Sequence, residues 1–146
     1  VVLWRISRHL DLSGKGGLLA NARWHSIGNA VVYLGESPTA ALLEVCVHTT
    51  ADRVPKSFTL LRIEGPEVEI SSILPDTLPS EWVKRPDLTQ RLGTAWLQSG
   101  AGVLLRVPSA IVPHTSNYLF NPLHPLAGQF RVVEAMEYPF DGRIKQ

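Results

Sequence analysis

The chain has 146 residues, 45% of them hydrophobic, which suits one ordinary domain with a buried core and excludes a disordered segment. Its 14 basic and 13 acidic residues leave a net charge of +1 and form no basic run, so electrostatics give it little reason to bind nucleic acid by itself. The single cysteine, Cys46, excludes an internal disulfide and a cysteine-rich zinc site, and no apolar run reaches the roughly 18 residues of a membrane span.

In chain order, Val1–Ile6 reads as a first strand. Asp11–Asn21, with Gly14, Gly16 and Gly17, reads as a glycine-rich surface loop. Ala30–Leu34 reads as a second strand. Ser37 and Pro38 then form a helix start, serine as N-cap and proline at the first helical position. That helix is expected to reach about His48, with Ala41, Leu42, Val45 and His48 facing the core. Phe58–Ile63 and Glu67–Ile70 are strand-like, and the proline-punctuated stretch from Pro75 to Pro86 is a loop. Asp87–Ser99 carries a helical pattern with Leu88, Leu92, Ala95 and Trp96 inward, ended by Gly100 and Gly102. Val103–Val107 and Gly128–Met136 are later strands, separated by a region that Pro108, Pro113, Pro122 and Pro125 break up. No repeat or linker divides the chain, so the expectation is a single α+β domain over residues 1–146. No signal-peptide pattern opens it, and a cytoplasmic setting is expected.

The chemical candidates start with Glu44, a carboxylate inside the apolar run from Ala40 to Val47. Burying an unpaired charge there costs several kcal/mol, so Glu44 is either a paired structural ion or a functional acid. The Gly14-Lys15-Gly16-Gly17 loop matches neither the Walker phosphate loop nor the dinucleotide glycine pattern, so it reads as a flexible surface loop, with an active-site flap as the alternative. The five histidines have no metal-ligand spacing. His25, beside Arg23, is a pocket-lining candidate. Arg5 and Arg23 are potential anion binders, with solvated strand ends or surface salt bridges as the plain alternatives. Tyr33 is either core or a stacking platform. Ser109 could be a turn cap, and Asn117 and Asn121 turn residues.

Joined together, these fragments resemble the RES domain family. The resemblance rests on Trp4-Arg5, Ala22-Arg23-Trp24-His25-Ser26-Ile27-Gly28, Val31 to Pro38, and Ala40 to Val45. It continues through Val107-Pro108-Ser109-Ala110, Asn117 to Pro122, and His124-Pro125. It spans nearly the whole chain in the family's order. The resemblance implies an ADP-ribosyltransferase-like domain with a cleft between two sheet-like halves. It implies a bacterial toxin that consumes NAD+ as a substrate, not as a retained cofactor, and arrests growth. It also implies an Xre-type antitoxin partner, so that DNA is reached only through that partner.

The site implied by the resemblance contains Arg5, Arg23, Tyr33, Glu44 and Ser109, with His25 and Asn121 completing the NAD+-binding set. Glu36 is a second acidic residue of the motif, and Glu44 matches the catalytic position better. Breaking the nicotinamide–ribose bond builds positive charge on the sugar, as in glycoside hydrolysis. A fixed carboxylate such as Glu44 would stabilise that charge, and Arg5 and Arg23 would grip the pyrophosphate. No metal is required. The acceptor is left open between water, phosphate and a protein side chain. The competing readings are a protein ADP-ribosyltransferase and a catalytically silent antitoxin-binding domain.

Overall fold

The computed structural model describes residues 1–146. Its strands are β1 (Val2–Ile6), β2 (Val32–Gly35), β3 (Ser57–Glu64), β4 (Ser71–Ser72), β5 (Leu104–Pro108), β6 (Ser116–Phe120) and β7 (Arg131–Pro139). Its helices are α1 (Lys15–Leu19), α2 (Pro38–Val47) and α3 (Pro86–Ser99). All seven strands join one sheet in the order β4-β5-β6-β2-β1-β3-β7. Every pairing is antiparallel except β4 with β5. The α+β class expected from the sequence is the one observed.

Side chains alternate across the sheet and bury both of its faces. One face carries Leu3, Val32, Leu34, Leu61, Ile63, Leu104, Tyr118 and Phe120, closed off by Phe130. The other carries Leu105, Val107 and Leu119, against Trp24, Val31, Trp82 and Leu97. A sheet buried on both sides reads as apolar runs and not as alternation, which is why Tyr118-Leu119-Phe120 gives no period-two signal.

Several local expectations hold for local reasons. The Ser37 hydroxyl accepts from the Ala40 amide 3.1 Å away, and Pro38 opens α2 where no amide is needed. Gly100, at φ 65°, ends α3. Cys46 is buried in the core, as expected for a free thiol that packs.

Other expectations change. The glycine-rich segment is not a plain loop, because Lys15–Leu19 forms the short helix α1 with Gly17 buried. His48 does not face the core; it is exposed at the end of α2, whose buried residues are Ala40, Ala41 and Cys46. Glu67–Ile70 is not a strand. Val68 and Ile70 pack on the core with no strand partner, and the short β4 forms just after them. The region broken up by prolines contains β6, which lies in the middle of the sheet.

Helix α3 buries Thr89, Gly93 and Leu97; the expected Trp96 packs at the edge of that core, whereas the expected Leu92 and Ala95 are exposed. The reason is a close approach. A Cβ on Gly93 would collide with the Trp24 carbonyl oxygen. Thr89 donates its hydroxyl to the Arg23 carbonyl at 2.5 Å, Gln90 donates to the Ala22 carbonyl at 3.0 Å, and Thr94 accepts from the Ser26 amide at 3.0 Å. Helix α3 therefore clamps the turn that carries Arg23 and His25. Gly93→Ala is expected to destabilise the protein by roughly 1–3 kcal/mol through overpacking. Urea unfolding of the variant checks this, and an unchanged midpoint would show that the turn moves freely away from α3.

Candidate active site

Strands β1 and β2 pair at one position only, Trp4 with Gly35. Past that point β1 stays bonded to β3 through Arg5 and Ile6, and β2 stays bonded to β6 through Tyr33 and Leu34. The two strands part, and a cavity of about 960 Å³ opens between them. Its walls include Arg5 and Ile6 from β1, Tyr33 and Leu34 from β2, Glu44 from α2, and His48 just past the end of that helix. The segment from Ser13 to Gly17, entering α1, and the turn Ala22–His25 form its remaining sides. A volume of this size fits a ligand much larger than a single sugar or base.

Glu44 is placed by the descent of α2 onto β2. A Cβ at Gly35 would stand 2.9 Å from the Ala41 nitrogen, so a residue without a side chain is required at that contact. The helix then delivers Glu44 to β6, where the Asn117 side-chain amide donates to Glu44 Oε1 at 2.9 Å. Oε2 faces His48 Nε2 at 3.8 Å, one helical turn on. The Glu44 side chain keeps 35% of its surface exposed, so the carboxylate is held and yet open to the cavity.

Two guanidinium groups share this cavity. Arg5 donates from Nη1 to the Asp11 carbonyl at 3.2 Å, and Arg23 donates from Nη1 to the Val83 carbonyl at 2.9 Å. Neither forms an ion pair, and burial lowers the pKa of Arg5, with Asp11 nearby acting in the opposite direction. A half-buried cation without a bonded carboxylate is costly, and an anionic ligand entering the cavity would relieve that cost.

Tyr33 and His25 form one hydrogen-bond chain. The Trp24 amide donates to the Tyr33 hydroxyl oxygen at 3.2 Å. His25 Nε2 lies 2.8 Å from the Ala20 carbonyl, which can only accept, so the proton sits on Nε2. Nδ1 is then left to accept from the Tyr33 hydroxyl at 2.7 Å. Burial lowers the His25 pKa and raises that of Tyr33, so both are neutral. The two polar ends are consumed inside the turn, and the tyrosine offers its ring to the cavity.

The remaining sequence candidates stand elsewhere. Ser109 is buried, and its hydroxyl accepts from the Ile111 and Val112 amides at 3.1 and 3.2 Å. Asn121 is buried between the Leu97 carbonyl and the Leu123 amide. Neither lines the cavity; the serine caps a turn that places Pro108, Ala110 and Ile111 at its edge. Glu36 is exposed and lies outside the cavity wall. Asn117, Trp4 and His48 do line it, and the sequence reading gave them no role at the site. Trp4 and Asn117 lie in segments that carry the family resemblance, and the i to i+4 spacing of Glu44 and His48 is the signal that points to the third.

A family model described as the RES domain matches residues 2–141 of this sequence. The chain belongs to the RES domain family. A relative named "Toxin Res" from Pseudomonas putida is 45% identical over 99% of each chain. A relative named "Prs ADP-ribosylating toxin" from a Sphingobium species is 34% identical over 97% of this chain and 94% of its own length. The fold is similar to that in the crystal structure of the Mycobacterium tuberculosis MbcT–MbcA toxin–antitoxin complex. The TM-score is 0.75 at 18% identity, covering 94% of this chain and 84% of that one.

In this RES domain the neutral His25 carries a pH dependence whose sign follows from its environment. The unfolded chain binds a proton near the ordinary value of 6.5, whereas the folded chain resists it to lower pH. Between those values the unfolded state holds more protons, so stability falls as pH drops below about 6.5. His25→Gln is expected to lose this component of the acid slope in urea unfolding followed against pH. An unchanged slope would mean that His25 takes up its proton equally readily in the folded and the unfolded chain.

Proposed function

We propose that this RES domain is the toxin of a toxin–antitoxin pair and acts by cleaving the nicotinamide–ribose bond of NAD+. The carrying observation is the convergence, in one cleft, of the half-open Glu44 carboxylate with Arg5, Arg23 and the ring of Tyr33. Each group suits one part of that molecule. The arginines complement the pyrophosphate through charge-assisted bonds. The Tyr33 ring offers a flat apolar surface to nicotinamide. The Glu44 carboxylate stabilises the cationic sugar as the bond lengthens, in a site partly shielded from water. Nicotinamide leaves, and the ribosyl carbon is taken by water or phosphate. Depletion of NAD+ then stops growth.

A second reading is favoured by one observation, the name of the Sphingobium relative. In that reading the same bond breaks and a protein side chain takes the ADP-ribose. The two share Glu44 and the first step, and differ only in the acceptor. A cytoplasmic enzyme of either kind must be kept inactive in its own cell, which supports a separate antitoxin, of the Xre type that the resemblance implies. No helix of this chain is long and apolar enough to cross a membrane.

Purified chain incubated with NAD+ is expected to release nicotinamide in step with NAD+ loss. Product in the form of free ADP-ribose or its phosphate supports the first reading, and label bound to protein supports the second. No nicotinamide release under any condition would overturn both. Glu44→Gln keeps the shape and loses the charge, so it is expected to fold and to lose about 10²–10³-fold in turnover. If Glu36→Gln instead abolishes turnover, the acid is Glu36. Arg5→Lys or Arg23→Lys is expected to weaken NAD+ binding in calorimetry, because lysine lacks the planar fork. Unchanged affinity in both variants would remove them from the site.

A further inference from the structure

We propose that Asn117 is the positioning residue for the Glu44 carboxylate, which leaves Oε2 as the oxygen that meets the substrate. The inference rests on the NAD+-cleavage reading for its kinetic consequence, and on the geometry of the pair for its structural one. Glutamate on a helix has three rotatable bonds, and an unanchored carboxylate near the helix end samples many orientations. Here one oxygen is anchored by an amide that belongs to a central strand. Asn117 pairs in register with Gly35 of β2 on one side and Val107 of β5 on the other. Its backbone is therefore held by the sheet, and its side chain points from the same face as Gly35, under α2. The amide NH2 can only donate and the carboxylate can only accept, so the 2.9 Å contact has one polarity and fixes Oε1.

Oε2 is left with the weaker neighbour. His48 Nε2 stands 3.8 Å away on a side chain that is 78% exposed, too long for a hydrogen bond and free to move aside. One oxygen is thus held by the sheet while the other is turned to the cavity. That arrangement suits a carboxylate that must face a developing sugar cation without reorienting. It also gives the glycine at residue 35 a functional consequence, since it lets α2 come low enough for Glu44 to reach β6.

The test pairs kinetics with a direct view of the bond. Asn117→Ala is expected to lower kcat for nicotinamide release by about 10²-fold with KM for NAD+ little changed. Asn117→Asp keeps the shape but replaces the donor with an acceptor, so it is expected to be no better than the alanine variant. Recovery of activity in Asn117→Asp would show that only shape matters and would overturn the proposal. Asn117→Ala added to Glu44→Gln is expected to cost little beyond Glu44→Gln alone, because both remove one functional unit. Fully multiplicative losses would overturn it. Thermal unfolding of each variant separates loss of fold from loss of rate.

The second measurement needs no turnover. The side-chain amide protons of Asn117 are followed by NMR in the wild-type chain and in Glu44→Ala. One proton shifted downfield and protected from exchange in the wild type, and released in the variant, is the expected result. Identical amide resonances in both would overturn the proposal. If the wild-type chain releases no nicotinamide, the NAD+-cleavage reading falls, and this measurement still decides whether Asn117 holds Glu44.

Discussion

The parting of β1 and β2 is the constraint on which the other features depend. Neighbouring strands of a sheet normally stay hydrogen-bonded along their shared length, because each unpaired backbone group in a buried place is costly. Here the pairing is limited to Trp4 and Gly35, and each strand takes its further bonds from the partner on its outer side. The backbone is satisfied outward and the space inward becomes the cavity. Arg5 and Tyr33 both line that space, on the two strands beyond their one shared pair. The same residue that ends the pairing, Gly35, lets α2 come down and deliver Glu44.

The rest of the molecule holds this opening in place. Helix α3 grips the Ala22–Ser26 turn by three side-chain hydrogen bonds and a helix surface cut back to glycine. The buried pair of Trp24 and Trp82, with ring centroids 5.9 Å apart, fills the space behind that turn. His25 and Tyr33 join the turn to β2 through a fully directed chain of hydrogen bonds. A site on rigid elements keeps its groups aligned better than one on free loops. The glycine-rich segment follows the same rule, since it forms a short helix against Val31 and contributes a wall of the cavity.

Features set by neighbouring residues were legible in the sequence. The serine-proline start of α2, the glycine end of α3 and the first strand all depend on contacts within a few residues. Features set by tertiary packing were not. The inward face of α3 is chosen by the Trp24 carbonyl, which residue spacing cannot reveal, and the apolar pattern points instead to Leu92 and Ala95. Strand β6 was hidden because Asn117, Asn121 and Pro122 carry turn chemistry, and because both of its faces are buried. Arg5, Arg23, Tyr33 and Glu44 are candidates on their own chemistry, the family resemblance joins them into one site, and one cavity brings them together. Ser109 and Asn121 came from the same resemblance and sit in turns beyond it, where their side chains bind backbone. Asn117 reads as a turn residue in the sequence, because its contact with Glu44 depends on which residue of α2 lies above it, a fact of topology.

The central claim is that the cleft between the parted strands holds NAD+. A crystal structure of Glu44→Gln with an NAD+ analogue whose nicotinamide–ribose bond resists cleavage tests it most directly. The expected result is the ligand between β1 and β2, with its pyrophosphate on Arg5 and Arg23 and its nicotinamide ribose beside residue 44. A ligand bound elsewhere, or one in the cleft with its ribose turned away from residue 44, would contradict it.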